Sequence, residues 1–382
     1  MTLTLGEQAR LLGRPVRPLP ISAYRAAFVG ERCLVTGAAG TIGAELARQL
    51  ASCEPEVLTL VDQNEERLFY LERELNERWP DVTLDPILAD VTRPATMRRA
   101  FRRVRPRVVF HAAAYKHVTM AERAACAAAR VNVLGVASVL RAARLVGARV
   151  VLVSTDKAAS PTSVMGATKR LAELMTVAAS GPSCRTAVVR FGNVLGSSGS
   201  FVPIAQDCIR RGMPIPVTDP DATRYFMTVS EAVSLVLTAH TFARRGETFW
   251  LDMGDQVRLG DLVDRLLALA VERGLRPVPI RVIGLRPGEK GVEQLTTQGL
   301  KMTATAHQRV WVAHQKPVPA EAIGSALNVL RQQVSRGDAL GVLQTLTTIV
   351  PEYEPSPEAL ATARADMLHE RQAPWIRQLR TA

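Results

Sequence analysis

Thr155, Asp156 and Lys157 put a hydroxyl, a carboxylic acid and an amine side by side at the end of an apolar run, RVVLVSTD. A carboxyl group and an amine serve as general acid and base only when their pKa values are shifted, and burial beside one another can supply the shift. Further on, SVMGATKR sets Met165 and Lys169 four apart on what reads as the opening turn of a helix. Residues four apart on a helix lie on one face. A thioether carries no proton and has no useful basicity, so Met165 is a packing residue in any acid–base scheme.

A second constellation lies upstream. TGAAGTIG spaces Gly37, Gly40 and Gly43 by three, directly after a strand-like run and at the start of a helical one. The first glycine permits a tight turn, the second lets the backbone approach a pyrophosphate, and the third packs helix on strand. Ala39, Thr41 and Ile42 fill the intervals of the same loop. Asp62 follows Gly43 by nineteen residues, ending the next strand-like run. A carboxylate there accepts from both hydroxyls of a ribose and repels a 2′-phosphate, which favours NAD over NADP. Asp90 ends the third run, placed for the adenine amino group or as a helix cap, with Val91 beside it. Ala112, Ala113 and Ala114 leave room for a dinucleotide to lie flat, and Asn132 is expected to complete the lining.

The elements that must position these groups alternate strictly over the first 190 or so residues. Strand-like runs occur at 33–37, 57–62, 85–90, 107–114, 149–156 and 185–191, and helical periodicity fills the intervals, including one long helix from about 121 to 147. Apolar runs without alternation imply strands covered on both faces, as in a parallel sheet. The fold class is therefore α/β, a Rossmann-like doubly wound sheet with a smaller inserted lobe. The division expected is an extension over 1–25, a dinucleotide domain over 26–193 and 230–257, a substrate lobe over 194–229 and 258–312, and a helical tail over 313–382.

Bulk properties bound the rest. The chain of 382 residues is 47% hydrophobic and 22% charged, an ordinary globular composition. No apolar run approaches the roughly 18 residues of a membrane span, and no secretory leader is recognisable, so a cytoplasmic protein is expected. Five scattered cysteines without CxxC spacing read as thiols, not as a disulfide frame or metal site. The net charge of +12 is spread as arginine along the whole chain, with only six lysines, which speaks against a nucleic-acid surface and for anionic small ligands.

FHAAAYKHV, VNVLG, STDKAASPTSVMGATKRLAE, RFGNVLGSSGS, RYFMT and GLRPGEK stand in this order, within a stretch of likeness that covers roughly residues 26 to 312. Together they resemble the nucleotide-sugar 4,6-dehydratases of the CapD-like polysaccharide-biosynthesis family, extended short-chain dehydrogenase/reductases, and in particular those acting on UDP-N-acetylglucosamine. The resemblance implies a bound NAD that oxidises carbon 4, loss of water across carbons 5 and 6, and return of the hydride to carbon 6. It casts Asp156 as the acid for the 6-hydroxyl and Lys157 as the base at carbon 5. The superfamily's usual tyrosine is replaced by Met165, a substitution found naturally in the family. Lys169 would then hold the nicotinamide ribose, and Thr155, alone or through water and Lys169, would relay the 4-hydroxyl proton. Lys116 and His117 are placed over the sugar. Asn193, Ser197, Ser198, Arg224 and Arg286 offer donors to the diphosphate, and Glu289 offers an acceptor to the uridine ribose. A carbon-5-inverting dehydratase, a UDP-sugar epimerase and a non-catalytic NAD-binding scaffold remain as alternatives. A homodimer or larger oligomer is expected through Ala-rich faces of the helix at 120–146 and the helix starting near Met165.

Overall fold

Runs such as VLTLV and RVVLV offer no polar face to water, so they pair side by side beneath helices. The computed structural model, which describes residues 3–294, 301–314 and 318–372, forms them into β1 (Arg32–Thr36), β2 (Val57–Asp62), β3 (Leu84–Leu88), β4 (Val108–His111), β5 (Arg149–Val153) and β6 (Thr186–Arg190). These are parallel, in the order β3-β2-β1-β4-β5-β6. The order reverses between β1 and β4, the position where a doubly wound sheet opens a crevice at its carboxyl edge. Two apolar cores, one on each face, hold the helices to the sheet.

Short strands follow: β7 (Asn193–Val194), β8 (Ile215–Val217), β9 (Thr223–Met227), β10 (Thr248–Leu251), β11 (Gln256–Arg258), β12 (Ile280–Val282), β13 (Met302–Ala304) and β14 (Val310–Ala313). Of these, β10 joins β6 in parallel, and β14 and β13 add two antiparallel strands beyond it. The stretch 302–313 thus belongs to the main sheet, whereas the sequence division put 302–312 in the lobe and 313 in the tail. The lobe has its own core, built from β8, β9, β11 and the helices Phe201–Arg210 and Leu259–Glu272, while β7 and β12 pair with β9 and β8 outside it. Leu11 and Leu12 of the first helix, Leu5–Leu12, are buried in that core, so the start of the amino-terminal extension belongs to the lobe, while Leu19, Ile21 and Tyr24 pack against the main sheet.

The long helix expected over 121–147 is broken into Val118–Arg123, Ala125–Ala129, a π-helical turn at Arg130–Gly135, and Val136–Val146. Single π turns recur where a helix must re-aim a side chain. Here Asn132 points back at the segment after β4. The run Ala125–Val146, 22 residues, is after all apolar enough to cross a membrane by length and composition, but 61% of its most apolar window is buried in the fold.

The tail folds into Ala320–Arg336, Ala339–Ile349 and Pro357–Gln372. Ile323, Leu330, Val334, Val342, Leu343 and Leu346 enter the same core as Ala128, Val133 and Val139 and as Val164, Met165 and Leu171. The Ala-rich faces expected to meet a second copy are therefore covered by the chain's own carboxyl-terminal helices, and an assembly would need another surface.

Candidate active site

At the crevice between β1 and β4 the backbone leaves no room for side chains. A Cβ on Gly37, whose φ is 67°, would lie 2.6 Å from the Ala113 nitrogen; one on Gly43 would lie 1.9 Å from the Gly37 oxygen. Gly40 is the N-cap of the helix Thr41–Ala51 and provides no side-chain cap, so the first amides, including Thr41 and Ile42, face the crevice mouth as donors. Asp62 accepts from the Ala39 amide at 2.9 Å and from the Asn64 amide at 2.9 Å, one on each oxygen. Each oxygen keeps a second lone pair for a ribose hydroxyl. These residues fit a dinucleotide: a glycine cradle, unfilled helix amides and a carboxylate at the end of β2.

Other lining residues take different parts. Asp90 accepts from the Thr92 amide and hydroxyl, both at 2.8 Å, closing its own turn. Val91 is buried against Gly135, and Ala112, Ala113 and Ala114 follow β4 as expected. Asn132 departs from expectation. Its amide accepts from the Tyr115 nitrogen (2.8 Å) and donates to the Tyr115 oxygen and to Thr168 Oγ1, both at 3.0 Å. It is spent on protein groups and braces the segment after β4 from behind.

Beyond β5, Thr155 caps a short 3₁₀ turn, Asp156–Ala158. Its hydroxyl donates to Asp156 Oδ1 at 2.8 Å. Asp156 is fully buried and its Oδ2 has no partner among the described residues. Lys157 Nζ lies 3.1 Å from Asp156 Oδ1, 3.0 Å from Glu293 Oε1 and 3.2 Å from Asn193 Oδ1. Burial opposes the charge on Lys157, but the two carboxylates outweigh it and hold the ammonium above lysine's ordinary range. In this arrangement Lys157 is a charged donor and not yet a base. Asn193, expected at the diphosphate, is a partner of Lys157. Glu293, 3% exposed, was missed in the sequence because GVEQ has no strand or helix signal and its partners are distant in the chain.

The helix Val164–Ala178 is buried on nearly every side from Val164 to Thr176. Met165 is 3% exposed and packs in the core shared with the tail. Lys169 Nζ donates to the Val153 carbonyl at 2.6 Å, and burial brings its pKa down to about 8, with Glu173 opposing. The Thr155 hydroxyl is thus bonded to Asp156 and Lys169 to the backbone of β5, so the two expected members of a relay do not bond to each other.

The substrate-side residues divide. Lys116 and His117 follow β4, both with pKa lowered by burial; His117 is lowered further by the charges of Lys116 and Arg286. The His117 ring fills the space beside Gly199, where a Cβ would lie 2.6 Å from Cε1. The charges of Lys116 and Arg286 beside the ring favour an anion. Ser197 is buried in its turn, and the Ser198 amide donates to Thr41 Oγ1 at 3.2 Å, so Ser198 closes on the dinucleotide side. Arg224 does not face an open site: it is 8% exposed and donates to the carbonyls of Thr223, Lys290 and Gly291. Arg286 and Glu289 pair with each other at 2.5 Å, through Nε and Nη2 of the arginine.

The model of a family described as "Polysaccharide biosynthesis protein" matches residues 33–315. The chain is 38% identical over 289 residues to "Capsular polysaccharide biosynthesis protein CapD" of Staphylococcus aureus, covering 75% of this chain but 48% of that one. It thus spans about half the length of that relative. It is 33% identical to "UDP-glucose 4-epimerase" of Rickettsia akari, covering 71% of this chain and 79% of the relative. Among solved structures, Pen from Bacillus thuringiensis superposes with a TM-score of 0.66 at 32% identity, over 71% of this chain and 84% of that one.

Proposed function

Because this chain belongs to the polysaccharide biosynthesis protein family, we propose that it is an NAD-dependent 4,6-dehydratase of UDP-N-acetylglucosamine. The observation that carries the reading is the buried row Thr155–Asp156–Lys157, with Lys157 bridging Asp156 and Glu293. Gly37, Gly40, Gly43, Asp62 and the alanines after β4 hold the dinucleotide. The chemistry that a bound nicotinamide supplies is removal of the carbon-4 hydrogen with its electron pair and its return at carbon 6.

The side chains handle the protons. Thr155 takes the proton of the 4-hydroxyl and passes its own to Asp156 Oδ1, to which it is already bonded. Asp156 then carries a proton for the departing 6-hydroxyl, which leaves as water. The 4-ketone acidifies the carbon-5 proton, and Lys157, once it has lost a proton, removes it. When carbon 6 is reduced, Lys157 returns that proton to carbon 5. Asp156 begins and ends the cycle ionised. Lys116, His117 and the donors of the 196–199 loop orient the sugar and its diphosphate.

A UDP-sugar 4-epimerase is the second reading, favoured by the likeness to the Rickettsia protein. A 4-epimerase has no use for an acid–base pair at carbons 5 and 6, whereas Asp156 and Lys157 are built into one buried cluster. Incubation with UDP-N-acetylglucosamine, followed by mass spectrometry, decides: loss of one water supports the dehydratase, and an isomer of unchanged mass refutes it.

A further inference from the structure

Lys157 presents a difficulty that the cluster itself resolves. A base at carbon 5 must be a neutral amine, yet Lys157 is held as an ammonium between two carboxylates. Its proton needs a place to go that is close and dry. Asp156 Oδ1 already accepts from both Thr155 and Lys157, and Asp156 is committed to the 4-hydroxyl proton. Glu293 differs. Its Oε1 accepts from Lys157 Nζ at 3.0 Å, while its Oε2 is buried with no partner among the described residues. Its nearest other charge is Arg224 Nε, 3.9 Å from Oε1, and Arg224 is itself held by three backbone carbonyls.

Resting on the dehydratase reading, we propose that Glu293 is a proton-holding residue acting through Lys157: it takes a proton from Nζ when the sugar fills the site, and gives it back after carbon 5 is reprotonated. In that transfer one N–H bond of Lys157 breaks and an O–H bond of Glu293 forms, turning an ion pair into a neutral pair. Displacing water from around Lys157, now 22% exposed, favours the neutral pair, because a dry surrounding penalises charge on both partners. The books then close. Lys157, Glu293 and Asp156 all return to their starting states, and the sugar has lost one water.

Glu293→Gln tests this, because the amide keeps the bulk and can still accept from Lys157 but cannot take its proton. The variant should bind the sugar with unchanged KM and form reduced cofactor as fast as wild type. It should lose water about a hundredfold more slowly. Glu293→Asp, which stays ionisable, should recover at least part of that loss. A second readout needs no substrate. With six lysines in the chain, protein labelled at lysine Cε gives a spectrum in which the Lys157 signal is assigned by Lys157→Arg. Lys157 should titrate above lysine's ordinary range in wild type and lower in Glu293→Gln. Water loss by Glu293→Gln within about threefold of wild type, or an unmoved Lys157 titration, overturns the inference alone. A wild-type protein that loses no water from the sugar removes the dehydratase reading, and the inference with it.

Discussion

Thr155→Val removes one oxygen and little else, since valine has nearly the shape of threonine. In the structure that oxygen joins the substrate side to Asp156 Oδ1, 2.8 Å away. A hydrogen bond to a charged group is worth about 1.5–3 kcal/mol, which as a barrier corresponds to roughly a 10- to 100-fold slower step. The step affected is oxidation at carbon 4, read in a single turnover as the rise of reduced-nicotinamide absorbance. Asp156→Asn should slow the same rise, because the amide cannot receive the proton that Thr155 hands on, and should also block loss of water. Residues that act as one relay are not additive, so Thr155→Val/Asp156→Asn should oxidise no more slowly than Asp156→Asn alone. Should Asp156→Asn form reduced cofactor at the wild-type rate while Thr155→Val does not, the proton leaves Thr155 by another route and the relay into Asp156 is refuted.

Met165→Tyr should not improve turnover; with Met165 3% exposed, the larger ring and its unpartnered hydroxyl should lower stability by about 2–5 kcal/mol, seen as a fall in Tm. Lys169 is depressed from 10.5 to about 8 when folded, so its charge opposes folding below pH 8 by about 3 kcal/mol and this opposition fades as pH rises toward 10.5. Lys169→Met should therefore be the more stable protein at pH 7, with the difference shrinking by pH 10; an equal difference at both pH values contradicts the burial argument. Denaturing the purified protein should release NAD and not NADP, read by chromatography. Asp62→Ala, which also frees the Ala39 and Asn64 amides, should weaken NAD binding by at least about tenfold, measured by calorimetry.

The dinucleotide half of the site was legible in the sequence because its signals are local. Gly37 and Gly43 report a backbone that cannot carry a Cβ, Gly40 an uncapped helix start, and Asp62 the end of a strand, each within one βα unit. The helices expected between the strand-like runs followed from periodicity for the same reason, as at Thr41–Ala51 and Pro94–Val104. The residues misjudged are those whose partners lie far along the chain. Arg224 looked like a free cation, but the carbonyls that absorb it are at Lys290 and Gly291. Asn132 looked like a ligand, and Tyr115 and Thr168 use up its amide. Glu293 showed nothing, since a carboxylate in a loop gains its meaning only from Lys157, more than a hundred residues earlier.

The methionine at 165 follows from the same arrangement. A tyrosine on this helix would serve to take the 4-hydroxyl proton, but here Thr155 already opens onto a carboxylate that later needs that proton as an acid. On the proposed dehydration, oxidation and elimination are coupled through Asp156, and no phenol is needed on this helix to take that proton. The helix is then free to be structural. Glu122 holds the Val164 amide at 2.7 Å and the Ser356 hydroxyl at 2.5 Å, while Arg170 reaches Glu352 at 3.0 Å. Those ties run to the carboxyl-terminal segment, whose helices bury the side of the helix away from the sheet. What a second subunit was expected to do for this face, the described carboxyl-terminal helices do, packed against the helix that carries Lys169.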